Sequence, residues 1–82
     1  MINIDFTTKS EVIPEYTKKG DCLYLYDENG KLHSYNDLPA VITSLNSKHW
    51  YNHGLLHRNN GKPAITTYFG LEICYENGIQ IK

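Results

Sequence analysis

The sequence predicts an all-β protein, an antiparallel meander of hairpins in a twisted or partly rolled sheet. Three observations carry that expectation. A glycine-centred pattern recurs along the chain, β-branched and aromatic runs alternate with turn residues, and no window shows a helical period with caps.

The repeat sets the frame. Gly30, Gly54 and Gly78 share a 24-residue period. Tyr24-Leu25-Tyr26-Asp27-Glu28-Asn29-Gly30-Lys31-Leu32-His33 aligns with His49-Trp50-Tyr51-Asn52-His53-Gly54-Leu55-Leu56-His57, so that Leu32 falls on Leu56 and His33 on His57. Six residues after each of those histidines come Pro39-Ala40-Val41 and Pro63-Ala64-Ile65. A third copy, Cys74-Tyr75-Glu76-Asn77-Gly78-Ile79, is shorter. Counted back from its glycine, Cys74 takes the place of Tyr26 and Trp50, a packing position.

Taken in order, residues 1–21 form an N-terminal edge strand or cap. Ile2, Ile4 and Phe6 alternate with polar residues, as in a half-buried strand, and Lys18-Lys19-Gly20-Asp21 reads as the turn into the repeats. Residues 22–82 hold the hairpin repeats, the last one truncated, and the whole of 1–82 reads as one domain. Cys22 to Tyr26 is rich in Tyr and Leu and suits a strand. Asp27-Glu28-Asn29-Gly30 is a turn, because Gly accepts positive φ without steric cost and Asn tolerates it. Lys31 to His33 returns. Pro39 and Pro63, lacking a backbone donor, open the next strands, Ala40 to Thr43 and Ala64 to Tyr68. Tyr68-Phe69-Gly70-Leu71 is a tight turn into the last full strand, Leu71 to Tyr75.

Composition bounds the function. Eight Lys and Arg against nine Asp and Glu leave a formal net charge of −1, which argues against a general nucleic-acid binder. No apolar run approaches the roughly 18 residues of a membrane span, and the first residues lack the basic and apolar regions of a signal peptide. A soluble, cytoplasmic chain with no membrane partner is expected. Cys22 and Cys74 are expected as free thiols rather than a bridge.

His33, His49, His53 and His57 are the most tempting cluster. Structural zinc prefers four ligands, usually with thiolates, whereas repeat-equivalent His33 and His57 fit hydrogen bonds to the neighbouring turn of each unit. No metal and no cofactor are expected. Catalytic residues are likewise none: the chain has one arginine, Arg58, and neither a Gly-rich phosphate loop nor a paired-carboxylate motif.

Aromatics are more informative, at ten of 82 residues. By alternation Tyr24, Tyr26 and Trp50 fall on one side of their strands, opposite Leu23 and Leu25. They form either an exposed stripe or a second buried face between rolled sheets. An exposed stripe suits a protein interface. Single-stranded nucleic acid could stack there too, but Asp21, Asp27 and Glu28 offset Lys31 and Lys48.

Asn29-Gly30-Lys31-Leu32-His33 with Pro39-Ala40, and Trp50-Tyr51 with Gly54, His57-Arg58, Gly61 and Pro63-Ala64, resemble the W-Y-x-N-G-x-x-H-R-x-x-G-P-A hairpin repeats of small phage and giant-virus proteins. Those are distantly similar to MORN repeats. The resemblance spans roughly residues 22–79. It departs at Ser34, which stands where the second copy has Arg58, and at Lys62, inserted before Pro63. It implies an all-β scaffold and a viral source, and no catalytic residue. Its functional implication is a non-enzymatic phage accessory protein that binds and sterically inhibits a host protein. The target class is a defence component, either a CRISPR effector (an anti-CRISPR role) or a toxin (an antitoxin role). Tyr24, Tyr26, Trp50, Tyr51, Asp27, Glu28 and Arg58 are the expected partner-binding residues. The alternative is a structural or self-assembling repeat module, a homodimer for instance, or a nucleic-acid-dependent binder.

Overall fold

A computed structural model describes residues 13–81. The chain is all-β and antiparallel, as its pattern predicts. Among the described residues ten short strands follow in order: β1 Thr17–Lys19, β2 Cys22–Tyr24, β3 Val41–Ile42, β4 Lys48–His49, β5 Tyr51–Asn52, β6 Leu55–Leu56, β7 Ile65–Thr66, β8 Glu72–Ile73, β9 Tyr75–Glu76 and β10 Ile79–Gln80. Six of them form one sheet in the order β1-β2-β3-β4-β7-β8, while β5-β6 and β9-β10 are separate hairpins. The alternating strand Ile2 to Phe6 lies outside the described residues. Among the described residues, the strand beside the first repeat is β1, whose Thr17 pairs with Tyr24 and Lys19 with Cys22. The turn between them is therefore Gly20-Asp21, shorter than the sequence suggests.

The sheet and the hairpins meet at one line of residues. Leu25 N–H donates to the Ala40 carbonyl at 2.8 Å, Ala40 N–H to His49, Trp50 N–H to Ala64, and Ala64 N–H to Ile73, each at 2.8 Å. Beyond that line the chain leaves the main sheet for a hairpin and then returns. The described core sits here: Leu25, Ala40 and Ala64 are fully buried, with Val41 and Trp50 nearly so. Small Ala at two of these positions lets neighbouring strands close on the larger Leu and Trp.

The hairpins also join one another. Gly54 N–H reaches the Leu32 carbonyl at 2.7 Å, and one period later Gly78 N–H reaches Leu56 at 2.8 Å. Ser34 N–H donates to Tyr51, and Arg58 N–H to Tyr75.

Turn chemistry corrects the alignment. The second and third hairpins close with two residues of positive φ, His53-Gly54 (46° and 92°) and Asn77-Gly78 (51° and 86°), as type I′ turns require. In the first, Tyr26 bridges Leu32. Asp27 N–H donates to Lys31, and Gly30, at φ 81°, donates back to Asp27. That is a three-residue loop with a glycine bulge. The extra residue shifts everything before Gly30 by one. Trp50 and Cys74 consequently match Leu25, while Tyr26 matches Tyr51 and Tyr75. The matched side chains act alike: Trp50 Nε1–H donates to the Asp37 carbonyl at 2.9 Å, and Cys74 Sγ to that of Gly61 at 3.7 Å.

At the far end of the main sheet two turns are built the same way. Asn46 N–H bonds Thr43, and Gly70 N–H bonds Thr67. The threonine hydroxyls accept from Ser47 and Leu71. Asn46 and Gly70 both take positive φ, 64° and 85°. Thr67 to Leu71 is thus the tight turn its sequence announces.

Candidate functional site

The seven residues expected to bind a partner are brought to three places rather than one stripe. Trp50 takes a Leu25-type position and is buried, so it is core and not a surface anchor. Counting from glycine put it one position away from where the strand places it. Arg58 covers it, with the guanidinium carbon 3.7 Å from the ring centroid. Arg58 also forks onto Asp37 (Nε to Oδ1 3.0 Å, Nη2 to Oδ2 3.1 Å) and reaches the Pro63 carbonyl. Lys62 Nζ adds a contact to Asp37 at 3.2 Å. These contacts, the Arg58 hydrogen bonds foremost, hold the Asp37 carboxyl below the usual carboxylate range. Beside them lies an open cleft of about 430 Å³, lined by Tyr51, Asn52, His57 and Asn60 among others. Burial pushes the Tyr51 phenol up.

Tyr24 and Tyr26 form a separate stacked pair, centroids 6.2 Å apart, with Lys19 Nζ 5.8 and 5.4 Å from their rings. Both are half-buried.

Asp27 and Glu28 sit at the first hairpin and behave differently. Glu28 is exposed, whereas Asp27 is buried. Asp27 Oδ1 accepts from Asn29 N–H at 2.8 Å and Lys31 N–H at 2.9 Å, and its Oδ2 lies 2.6 Å from His53 Nδ1. The bond from His53, then those from the backbone, brings its pKa down to about 2. Its role is to hold the turn.

The histidines act as the repeat suggests. His33 Nδ1 accepts the N–H of His53 at 3.0 Å, and His57 Nδ1 accepts that of Asn77 at 3.0 Å. Each ring stitches its own hairpin to the tip of the next. His57 Nε2–H then donates to Asn59 Oδ1 at 2.8 Å, while His33 stacks on His53 with centroids 3.9 Å apart. Cys22 and Cys74 are free thiols.

The most exposed apolar surface was not singled out by the sequence pattern. Leu45 is 75 %, Tyr68 72 % and Phe69 90 % exposed. All three occupy the tips of the two matched turns at one end of the main sheet. Tyr68 and Phe69 meet edge to face at 5.4 Å. With Ser44 and Asn46 these side chains line an apolar groove of about 290 Å³. The available signal was the turn itself: once Gly70 fixes the positive-φ position, Tyr68 and Phe69 must occupy the tip, where no neighbouring strand covers them.

Among the described residues, no helix is long and apolar enough to cross a membrane, and no group of three or more His, Cys, Asp or Glu is placed to hold a metal ion. The chain matches no family model, no curated protein and no solved structure.

Proposed function

We propose that the protein is a non-catalytic binding module that docks on another protein through the turn tips carrying Leu45, Tyr68 and Phe69. One observation supports this reading above the rest. Two adjacent aromatic rings and a leucine stand almost wholly in water on rigid turns, although the same chain buries a tryptophan elsewhere. Contiguous exposed apolar side chains of this kind mark interaction surfaces, and aromatic anchors carry much of the energy of protein interfaces. The turns supply preorganisation, since each is closed by two backbone bonds and a threonine hydroxyl, so little entropy is lost on docking.

Charge favours a protein over a nucleic acid. The groove is lined by Ser44, Leu45, Asn46, Tyr68 and Phe69, with no cation among them, and phosphate binding depends on cations. In line with the phage-repeat resemblance, the partner is a host protein of a defence system, a CRISPR effector or a toxin, and the effect is steric inhibition in the host cytoplasm.

The test is capture by the tagged protein from lysate of a candidate bacterial host, with and without nuclease, read by mass spectrometry. A stoichiometric host protein that survives nuclease and is lost with Phe69→Asp is the expected result. A catch that disappears with nuclease, or one indifferent to Phe69→Asp, contradicts the reading.

A further inference from the structure

The open cleft of about 430 Å³ lies where β5 meets the loops that follow the first and second hairpins, and it shares no lining residue with the groove at the turn tips. Its volume is within the roughly 300–1,000 Å³ of small-molecule sites. Its walls are held in place. Ser34 clamps β5, with its N–H donating to the Tyr51 carbonyl at 2.8 Å and its hydroxyl accepting the Tyr51 N–H at 3.0 Å. Arg58 is fixed between the Trp50 ring and the Asp37 carboxylate. The charges of the cleft are spent on one another, because both Asp37 oxygens are taken, by Arg58 and by Lys62. What is left for a ligand is neutral. Among the described residues, the Asn52 and Asn60 amides and the Tyr51 hydroxyl line the cleft and make no side-chain hydrogen bond. Asn60 has a backbone reason for its place, φ 65°, like Asn36 one period earlier at 51°. Asn52 has none. The residues that follow the matched tyrosines are Asp27, Asn52 and Glu76. Asp27 uses its carboxylate to hold its turn, whereas Asn52, half-buried and uncharged, holds nothing.

We propose that this cleft binds one hexose unit of a neutral carbohydrate. A primary amide presents donors and an acceptor in one plane, which matches a pair of neighbouring sugar hydroxyls, each both donor and acceptor. Two such amides and the Tyr51 phenol serve the hydroxyl edge of one ring. The Tyr51 ring supplies an apolar surface for its C–H face. A phosphate or carboxylate ligand fits less well. Anion recognition draws on charge-assisted bonds from cations, and here Arg58 and Lys62 are committed to Asp37, whose own charge repels an anion. A cleft this open, meeting a single sugar unit through a few neutral groups, gives millimolar affinity. The site is separate from the docking surface at the turn tips and stands independently of it.

Titration of the ¹⁵N-labelled full chain with the methyl glycosides of glucose, galactose, mannose and N-acetylglucosamine, followed by NMR to about 50 mM and so past the millimolar range, tests this. The side-chain amide signals of Asn52 and Asn60 report on the site directly. Saturable shifts of both are expected with at least one of the four sugars. Asn52→Ala and, separately, Asn60→Gly should each weaken that binding at least fivefold while circular dichroism stays that of the wild type. The glycine change removes an amide at a positive-φ position that glycine accepts without strain. Phe69→Asp should leave the sugar affinity unchanged, which separates this site from the turn tips. No saturable shift with any of the four, binding indifferent to both asparagine changes, or tighter binding of adenosine monophosphate at the same amides overturns the proposal.

Discussion

Arg58 lies over Trp50, 3.7 Å from guanidinium carbon to ring centroid, and so turns the chain's one tryptophan into a sealed part of the core. The Arg58 side chain is itself only 16 % exposed. Cation and ring are held in register because Asp37 grips both, through its carboxylate to Arg58 and through its carbonyl to the indole N–H. Removing the ring should cost far more than removing its lid. Trp50→Ala is expected to lose about 3–5 kcal/mol, enough to unfold a domain this small, while Arg58→Ala should lose about 1–2 kcal/mol. Urea unfolding of the two variants checks the order. Tryptophan emission should shift to longer wavelength in Arg58→Ala as water reaches the ring.

Acid should destabilise the fold in two separate windows. Burial holds the His49 pKa below its ordinary value. A histidine lowered by folding contributes stability that is complete above the unfolded value of about 6.5 and is lost as the pH falls through the folded one. Melting temperature should therefore fall between about pH 7 and pH 5. Asp27 acts lower down: with its pKa near 2, its contribution is whole above the unfolded value of about 3.9 and disappears as the pH drops toward 2. Thermal melts across the range should show both steps. In His49→Leu the upper step should shrink, and a wild type flat from pH 7 to 5 would contradict the burial of that imidazole.

Backbone conformation predicts opposite effects at two matched turn positions. Gly30 sits at φ 81° with open space where a side chain would begin, so Gly30→Ala should lose about 1–2 kcal/mol through backbone strain alone. Asn46 adopts φ 64° at the place Gly70 fills in the sister turn, so Asn46→Gly should be neutral or stabilising by up to about 1 kcal/mol. Chemical denaturation of the pair measures both signs.

The tip aromatics should be dispensable for folding. Phe69→Asp and Tyr68→Ser are expected to change stability by no more than about 0.5 kcal/mol, because neither ring packs on the core. A large loss of stability would place Phe69 inside the fold rather than on its surface.

Fold class, hairpin order and the histidine stitch were all legible in the sequence, because each follows from local chemistry repeated at a fixed spacing. Gly54 and Gly78 mark type I′ turns, Pro39 and Pro63 precede strands, and His33 and His57 recur with their hairpins. The fate of Trp50 was not legible, because it hangs on a single added residue in the first turn. Side-chain facing has a period of two, so a one-residue error moves a ring from surface to core. Tyr24 and Tyr26 are half-covered because β1 lies beside β2, a pairing that Lys18 and Lys19 do not announce. Phe69 was legible as a turn residue but not as an exposed anchor, because strand alternation says nothing of which turn side chains stand at the tip.

The central claim is that Leu45, Tyr68 and Phe69 form the docking surface. It is tested most directly by titrating the captured partner with wild type, Phe69→Asp and Tyr24→Ala/Tyr26→Ala at matched salt. At least a tenfold loss of affinity is expected for Phe69→Asp, about 1.4 kcal/mol or more, with the tyrosine double variant close to wild type. Equal affinity for Phe69→Asp, or a loss confined to the tyrosine variant, would contradict the account and return the binding site to the Tyr24–Tyr26 face.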